Sequence, residues 1–390
     1  TTTNNGNTLD GGDTVTVTGE LVTTGANEGI ETTGGTNTVS VSEAGSIETA
    51  GYAAYGIFNR GDDSETTISG SIETNGQEGS GIFNRGDDSE TTVSGSIMTA
   101  GGAANGIFNF GDNNQTTVSG SIETAGGGSY GIFNNGDNNQ TTVSGSIETA
   151  GPSANGIFNF GDNNQTTVSG SIETAGAAAW GIFNSGDNNQ TTISGSIETA
   201  GGGAYGIQNS GNDNITTVSG SIETEGDSAY GIVNIGGNST TIISGTVSAS
   251  GTNTSALFNF SGSGSFTLNE NAVIIGDISA GSTSSNNKLK FNLGASSSYA
   301  YTVGGAGVGT GSGEWTLTDQ DGRTQGATSI NTSNCTAVIL GGVSLISACN
   351  FVTAVGSGNA MEHNELQLAM NASLMGSLQS GGGQANNLTE

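Results

Sequence analysis

The sequence predicts an all-β fold: a parallel β-helix (β-solenoid) of 25-residue coils, with an irregular C-terminal cap and a short C-terminal amphipathic helix. Three observations predict it. The word Gly-Ile-Phe-Asn starts at Gly56, Gly81, Gly106, Gly131, Gly156 and Gly181, and decays at the same step of 25 through Gly206, Gly231 and Ala256. A second word, Val/Ile-Ser-Gly-Ser-Ile, keeps that phase from Ile68 to Val218. Between the words lie Gly-Asp-Asn-Asn and Ala-Gly-Gly-Gly segments, which are turn chemistry.

The repeat reads as strand. In Thr67-Ile68-Ser69-Gly70-Ser71-Ile72-Glu73-Thr74, small or apolar residues stand at 68, 70 and 72 and polar ones between them. That is period two, with one buried face. A repeat of two or three short strands cannot bury its own face, so it stacks on its neighbours at about 4.8 Å per coil. A propeller blade needs roughly 40 residues or more, which 25 does not supply.

In chain order, residues 1–50 have the same flavour with looser spacing and read as irregular first coils. Terminal coils must differ, because an uncapped stack exposes an edge. Residues 51–260 are the regular repeats. In 261–355 the period is lost while strands persist, ending near Trp315-Thr316-Leu317, as in a cap or a widened coil stack. In 356–390, Leu366, Met370, Leu374 and Leu378 lie four apart and predict an amphipathic helix over about 361–378, followed by a flexible Gly-rich stop.

Composition narrows the function. The 390 residues carry a formal charge of -30, with Arg60, Arg85, Lys288, Lys290 and Arg323 the only Lys or Arg. A nucleic-acid binder needs a basic stripe, so no nucleic-acid partner is expected. No apolar stretch approaches the ~20 residues of a membrane span. No charged-then-apolar leader precedes Thr1, so a signal peptide is expected to have been removed. In a secreted chain Cys335 and Cys349, 14 apart, are expected to close one small loop as a disulfide rather than remain free thiols.

Stacking turns each repeat position into a column. Asn59, Asn84, Asn109 and their successors to Asn259 are expected to form a hydrogen-bonded, turn-stabilising ladder. The column Phe58, Phe83, Phe108, Phe133, Phe158 and Phe183 has two open readings. Outward rings would form an apolar interaction stripe, whereas inward rings would be core. Asp62, Asp87, Asp112, Asp137, Asp162 and Asp187 form an acidic turn column and the candidate site for weak calcium binding, against a plain solvated reading. A Glu column runs from Glu48 to Glu223, broken by Met98, beside an outward Thr column from Thr67 to Thr217 whose face it is expected to spoil.

These words resemble the passenger region of bacterial autotransporters. The resemblance rests on the Thr8-Leu9-Asp10-Gly11-Gly12-Asp13-Thr14-Val15-Thr16-Val17-Thr18-Gly19 segment, the repeated coils, and Trp315-Thr316-Leu317-Thr318-Asp319-Gln320-Asp321-Gly322. The tail after Gly356 looks like the linker that precedes a translocator barrel, and no barrel precedes the end at Glu390. The resemblance implies a secreted, cell-surface β-helix with a role in adhesion, biofilm or surface coating.

No enzyme is expected, a polysaccharide-active one being the third and least favoured reading. The residues that interrupt the repeat are Met98, Pro152, Gln208 and Val233, none of them catalytic groups, and the single His, His363, falls in the predicted helix. The primary expectation is a structural rod that self-associates into a coat, fibre or matrix. The second is an adhesin for host or surface glycans, with Tyr55, Tyr130, Trp180, Tyr205 and Tyr230 available to stack on sugars.

Overall fold

The computed structural model describes residues 2–3, 7–292, 298–302, 307–308, 314–318, 335–340, 343–348 and 351–355. It is a parallel β-solenoid of about 11 turns. Three sheets of 12, 12 and 14 strands run its length, and each coil gives one strand to each sheet. In the coil from Gly56 these are Ile57–Asn59, Glu65–Ile68 and Ser71–Thr74. We name the sheets by their repeated words: Ile-Phe-Asn, Thr-Thr-Val and Ser-Ile-Glu-Thr. Registers join residues 25 apart, for example Ile82 with Ile57 and Ile107, so like faces like along the axis.

The alternation read as one strand over 67–74 is two strands of different sheets. A corner at Ser69–Gly70 separates them. Period two survives the corner because Ile68 and Ile72 both point inward. Glycine is required there by close approach. A Cβ on Gly145 would stand 1.9 Å from the carbonyl oxygen of Gly120 one coil below. The turn after the Ile-Phe-Asn strand passes through left-handed backbone at Asn113, Asn138 and Asn163 (φ 57–58°), where asparagine is among the better-tolerated residues.

The core is only partly apolar. Ile57, Ile68 and Ile72 and their counterparts build three buried aliphatic columns. Between them stand fully buried Asn and Thr columns. Asn109 donates from Nδ2 to Asn134 Oδ1 at 2.8 Å and to Thr116 Oγ1 at 3.0 Å. The same pair of bonds recurs from Asn59 to Asn209. The expected ladder therefore lies inside the core, on a strand, and not in a turn. A third polar column, typified by Thr99, ties the other turn through Oγ1 to the carbonyl oxygen of Ala104 at 2.7 Å.

Stacking extends past the regular repeats. Within residues 1–50, Val15 pairs with Val39 and Leu21 with Ile47, at offsets of 24 and 26 rather than 25. Beyond 260 the period fails, yet Gly264–Asn269, Asn287–Asn292 and Glu314–Thr318 still add to the Thr-Thr-Val sheet. The core changes there. Phe266 takes the place of the inward Thr at 241 and packs on Trp315, centroids 5.6 Å apart, both fully buried. The polar ladder loses one rung there, leaving Asn234 Nδ2, Thr241 Oγ1 and Asn259 Oδ1 buried without partners, and resumes where Asn259 donates from Nδ2 to Asn287 Oδ1.

Strands do not end near 315–317. Ser298–Thr302, Cys335–Leu340, Val343–Ala348 and Phe351–Val355 form a separate antiparallel sheet. The helix expected over 361–378 lies outside the described residues, as does Cys349 and with it the expected disulfide to Cys335. No helix among the described residues is long and apolar enough to cross a membrane.

Two substitutions test this core. Asn134→Ala removes an acceptor from Asn109 and donors to Asn159 and Thr141. It should cost on the order of 3 kcal/mol in denaturant unfolding, since each orphaned buried group costs about 1–3 kcal/mol. A loss within about 0.5 kcal/mol, typical of an inert surface site, would remove the ladder from the stability account. Gly145→Ala, with no space for its Cβ, should abolish cooperative unfolding of the full stack.

Candidate interaction surface

The residues of the Ile-Phe-Asn strand alternate across the sheet. Ile82 and Asn84 are fully buried, so Phe83 points outward. The outward reading of the Phe column is the one the structure adopts. Phe58, Phe83, Phe108, Phe133, Phe158 and Phe183 stack face to face, with centroids 4.6–4.9 Å apart and planes within 4–10°. The coil rise sets that separation. At Phe58 the column is covered by Tyr55 and by the Arg60 guanidinium, 4.3 Å from the ring centroid; Arg60 also pairs with Glu31 at 2.7 Å.

Further rings brace the stack on both sides. On one side Tyr130 packs edge-on against Phe133 and Phe158 at 5.3 and 5.2 Å, and Trp180 against Phe183 at 4.5 Å. Trp180, Tyr205 and Tyr230 then continue the row to Phe258. On the other side Phe110, Phe160 and Phe260 stand nearly perpendicular to the stack, at 78–86°, and remain 49–54% exposed. These three rings were missed in the sequence reading. Their signal is the residue after each Asn of the repeated word: Phe110, Asn135, Phe160 and Ser185 differ from coil to coil while the word itself does not.

The strip is uncharged. From Asn105 to Phe260 its three columns hold aromatic, aliphatic, amide and hydroxyl side chains and no Asp, Glu, Lys or Arg. Burial raises the phenol pKa of Tyr130 and of Tyr205 above the ordinary value, so neither adds charge at neutral pH. Asn105 and Asn155 are buried and accept the backbone N–H of Tyr130 and Trp180 on Oδ1, each at 2.9 Å, which holds both aromatic residues in place.

The acidic columns lie elsewhere. Asp62, Asp87, Asp112, Asp137, Asp162 and Asp187 follow the strip at the next turn. Each Oδ1 accepts the backbone N–H of the residue one coil on, from Asp87 N at 2.9 Å to Asn212 N at 2.6 Å. Asn212 takes the same place in the next coil and accepts from Gly237 N at 2.8 Å. One carboxylate oxygen per coil is thus committed to a structural ladder. Among the described residues no group of three or more His, Cys, Asp or Glu is placed to hold a metal ion. The Glu column lines a groove on the Ser-Ile-Glu-Thr sheet with Thr124, Thr149, Thr174 and Thr199. The outward Thr column, including Thr117 and Thr142, is on the Thr-Thr-Val sheet, so the corner separates it from the Glu column that was expected to spoil its face.

Replacing Asp112, Asp137 and Asp162 together by Asn keeps the acceptor, as Asn212 demonstrates, and removes stacked like charges. Such charges repel by about 1 kcal/mol per contact even in water. The triple variant should unfold at higher temperature than the parent at low salt, and the gain should shrink near 1 M salt, where screening acts within about 3 Å. A lower melting temperature at every salt concentration would show that the carboxylates, and not merely their acceptor oxygens, hold the turns. No protein-family model, curated protein or solved structure matches this chain.

Proposed function

We propose that this chain is a non-catalytic adhesive rod of an extracellular surface, akin in role to an autotransporter passenger, which attaches side-on through its aromatic strip. The observation that carries the reading is the row of exposed rings along that strip. A chain with formal charge -30 keeps three adjacent columns free of charge over residues 105–260 and leaves Phe110, Phe160 and Phe260 about half exposed. Contiguous exposed apolar patches mark interaction sites. The absence of unique acid–base constellations within the repeats agrees with a binding role, because each polar group recurs as a column.

Lateral self-association into a coat is the second reading, favoured by the length of the strip. Charge weighs against it. Two strips laid face to face bring two Asp columns close together, and the repulsion falls only with screening or a bridging cation such as calcium.

The test is retention of the purified chain on insoluble biofilm matrix. Wild type should be retained, and the Phe110→Ser/Phe160→Ser variant should lose at least about ten-fold in affinity, since truncating two exposed aromatic anchors removes more than about 1.4 kcal/mol. Equal retention of both proteins would place attachment away from the strip and remove its support.

A further inference from the structure

Over the four coils from Asn105 to Ser185 the strip has a second period laid over the first. Large rings alternate between its two edges on successive coils: Phe110 on one, Tyr130 on the other, then Phe160, then Trp180. The opposite positions hold uncharged hydrogen-bonding residues, Asn105, Asn135, Asn155 and Ser185. Packing explains part of the pattern, because Tyr130 touches two stacked phenylalanines at once and one ring per two coils suffices on that edge. It does not explain why Phe110 and Phe160 stay about half exposed. Their planes stand nearly perpendicular to those of the stacked rings.

We propose that this strip is a binding track for a neutral, extended β-linked glycan lying parallel to the rod axis, held in register by the four coils from Asn105 to Ser185 with one disaccharide unit to every two coils. The proposal rests on the docking reading above and names its partner. Three features select that chemistry. The repeat of the track is two coil rises, about 9.6 Å, and successive rings alternate sides at half that distance. A polymer that turns by half a revolution per residue, as an extended β-1,4-linked glycan does, offers an apolar C–H face first to one edge and then to the other. An extended polypeptide repeats at about 6.6–6.8 Å, and a polyproline helix has three residues per turn, so neither alternates in step with the rings. Secondly, the track is neutral within a strongly acidic molecule, which disfavours acidic polysaccharides by repulsion from the Asp column beside it. Thirdly, six coil steps by one three-residue strand make a strip of roughly 29 by 10 Å. That is about 290 Å², little more than a third of the roughly 800 Å² per partner in a standard protein interface, yet long enough for several sugar units.

Co-sedimentation of the full chain with microcrystalline cellulose, chitin powder and calcium alginate particles tests the proposal. Sedimentation velocity on the same samples reports self-association, and thermal melts followed by circular dichroism verify that variants fold. Wild type should be retained on at least one of the two neutral polymers and not on alginate. Retention should persist at about 0.5 M salt, where charge contacts are screened within roughly 4 Å. Phe110→Ser/Phe160→Ser and, separately, Trp180→Ala should each weaken it at least about ten-fold, whereas Thr142→Ala on the Thr-Thr-Val sheet should leave it unchanged. No retention on either neutral polymer, with strip-dependent retention on biofilm matrix, would overturn the glycan assignment and leave side-on docking intact. A wild-type dimer that Phe110→Ser/Phe160→Ser dissolves would overturn it in favour of a second copy of this chain.

Discussion

The backbone hydrogen bonds between coils hold successive strands in parallel register, and everything else in the molecule answers to that spacing. Each residue of the repeat sits next to its own counterpart 25 positions away. A side chain is therefore acceptable only if a column of copies is acceptable. Isoleucine and valine pass because dispersion contacts are additive along the stack. Asparagine passes because its amide is both donor and acceptor, so Asn109 can give to Asn134 while accepting from Asn84. Phenylalanine passes because offset stacking of rings at this separation is favourable.

Carboxylates fit the rule least well, and their placement shows how the fold accommodates them. Those of the Asp column stand at a turn open to water and accept a backbone N–H from the next coil. Those of the Glu column stand on an exposed sheet face. Neither column enters the core, where asparagine and threonine supply polarity without charge. Where the coil changes at Phe266 and Trp315, aromatic packing joins the core, and the three orphaned atoms at Asn234, Thr241 and Asn259 mark one broken rung of a ladder that resumes at Asn287.

The same spacing sets what the exterior can do. On one edge Tyr130 spans two stacked phenylalanines, and Trp180, Tyr205 and Tyr230 then follow one per coil. Between Asn105 and Ser185 the chemical repeat of the strip is twice its structural repeat.

Coil length, the inward aliphatic columns, the Asn ladder and the continuation of strands into both flanks were all legible in the sequence. A 25-residue period in near-identical words admits little else, and period two assigns faces directly. Three features were not legible. Residues 67–74 read as one strand because alternation continues through the Ser69–Gly70 corner, although the chain changes sheet there. The Phe column could be core or surface, because the length of the strand and the position of its bend decide which side chains face in. Phe110 and Phe160 lay outside the repeated word, where the residue changes from coil to coil and carries no periodic signal. Local alternation and repetition suffice to dictate that this protein stacks coils and which positions become columns. Which columns share a face is settled in the packed coil, because that depends on where each coil turns its corners, and a corner built from serine and glycine leaves the hydrophobic period unbroken.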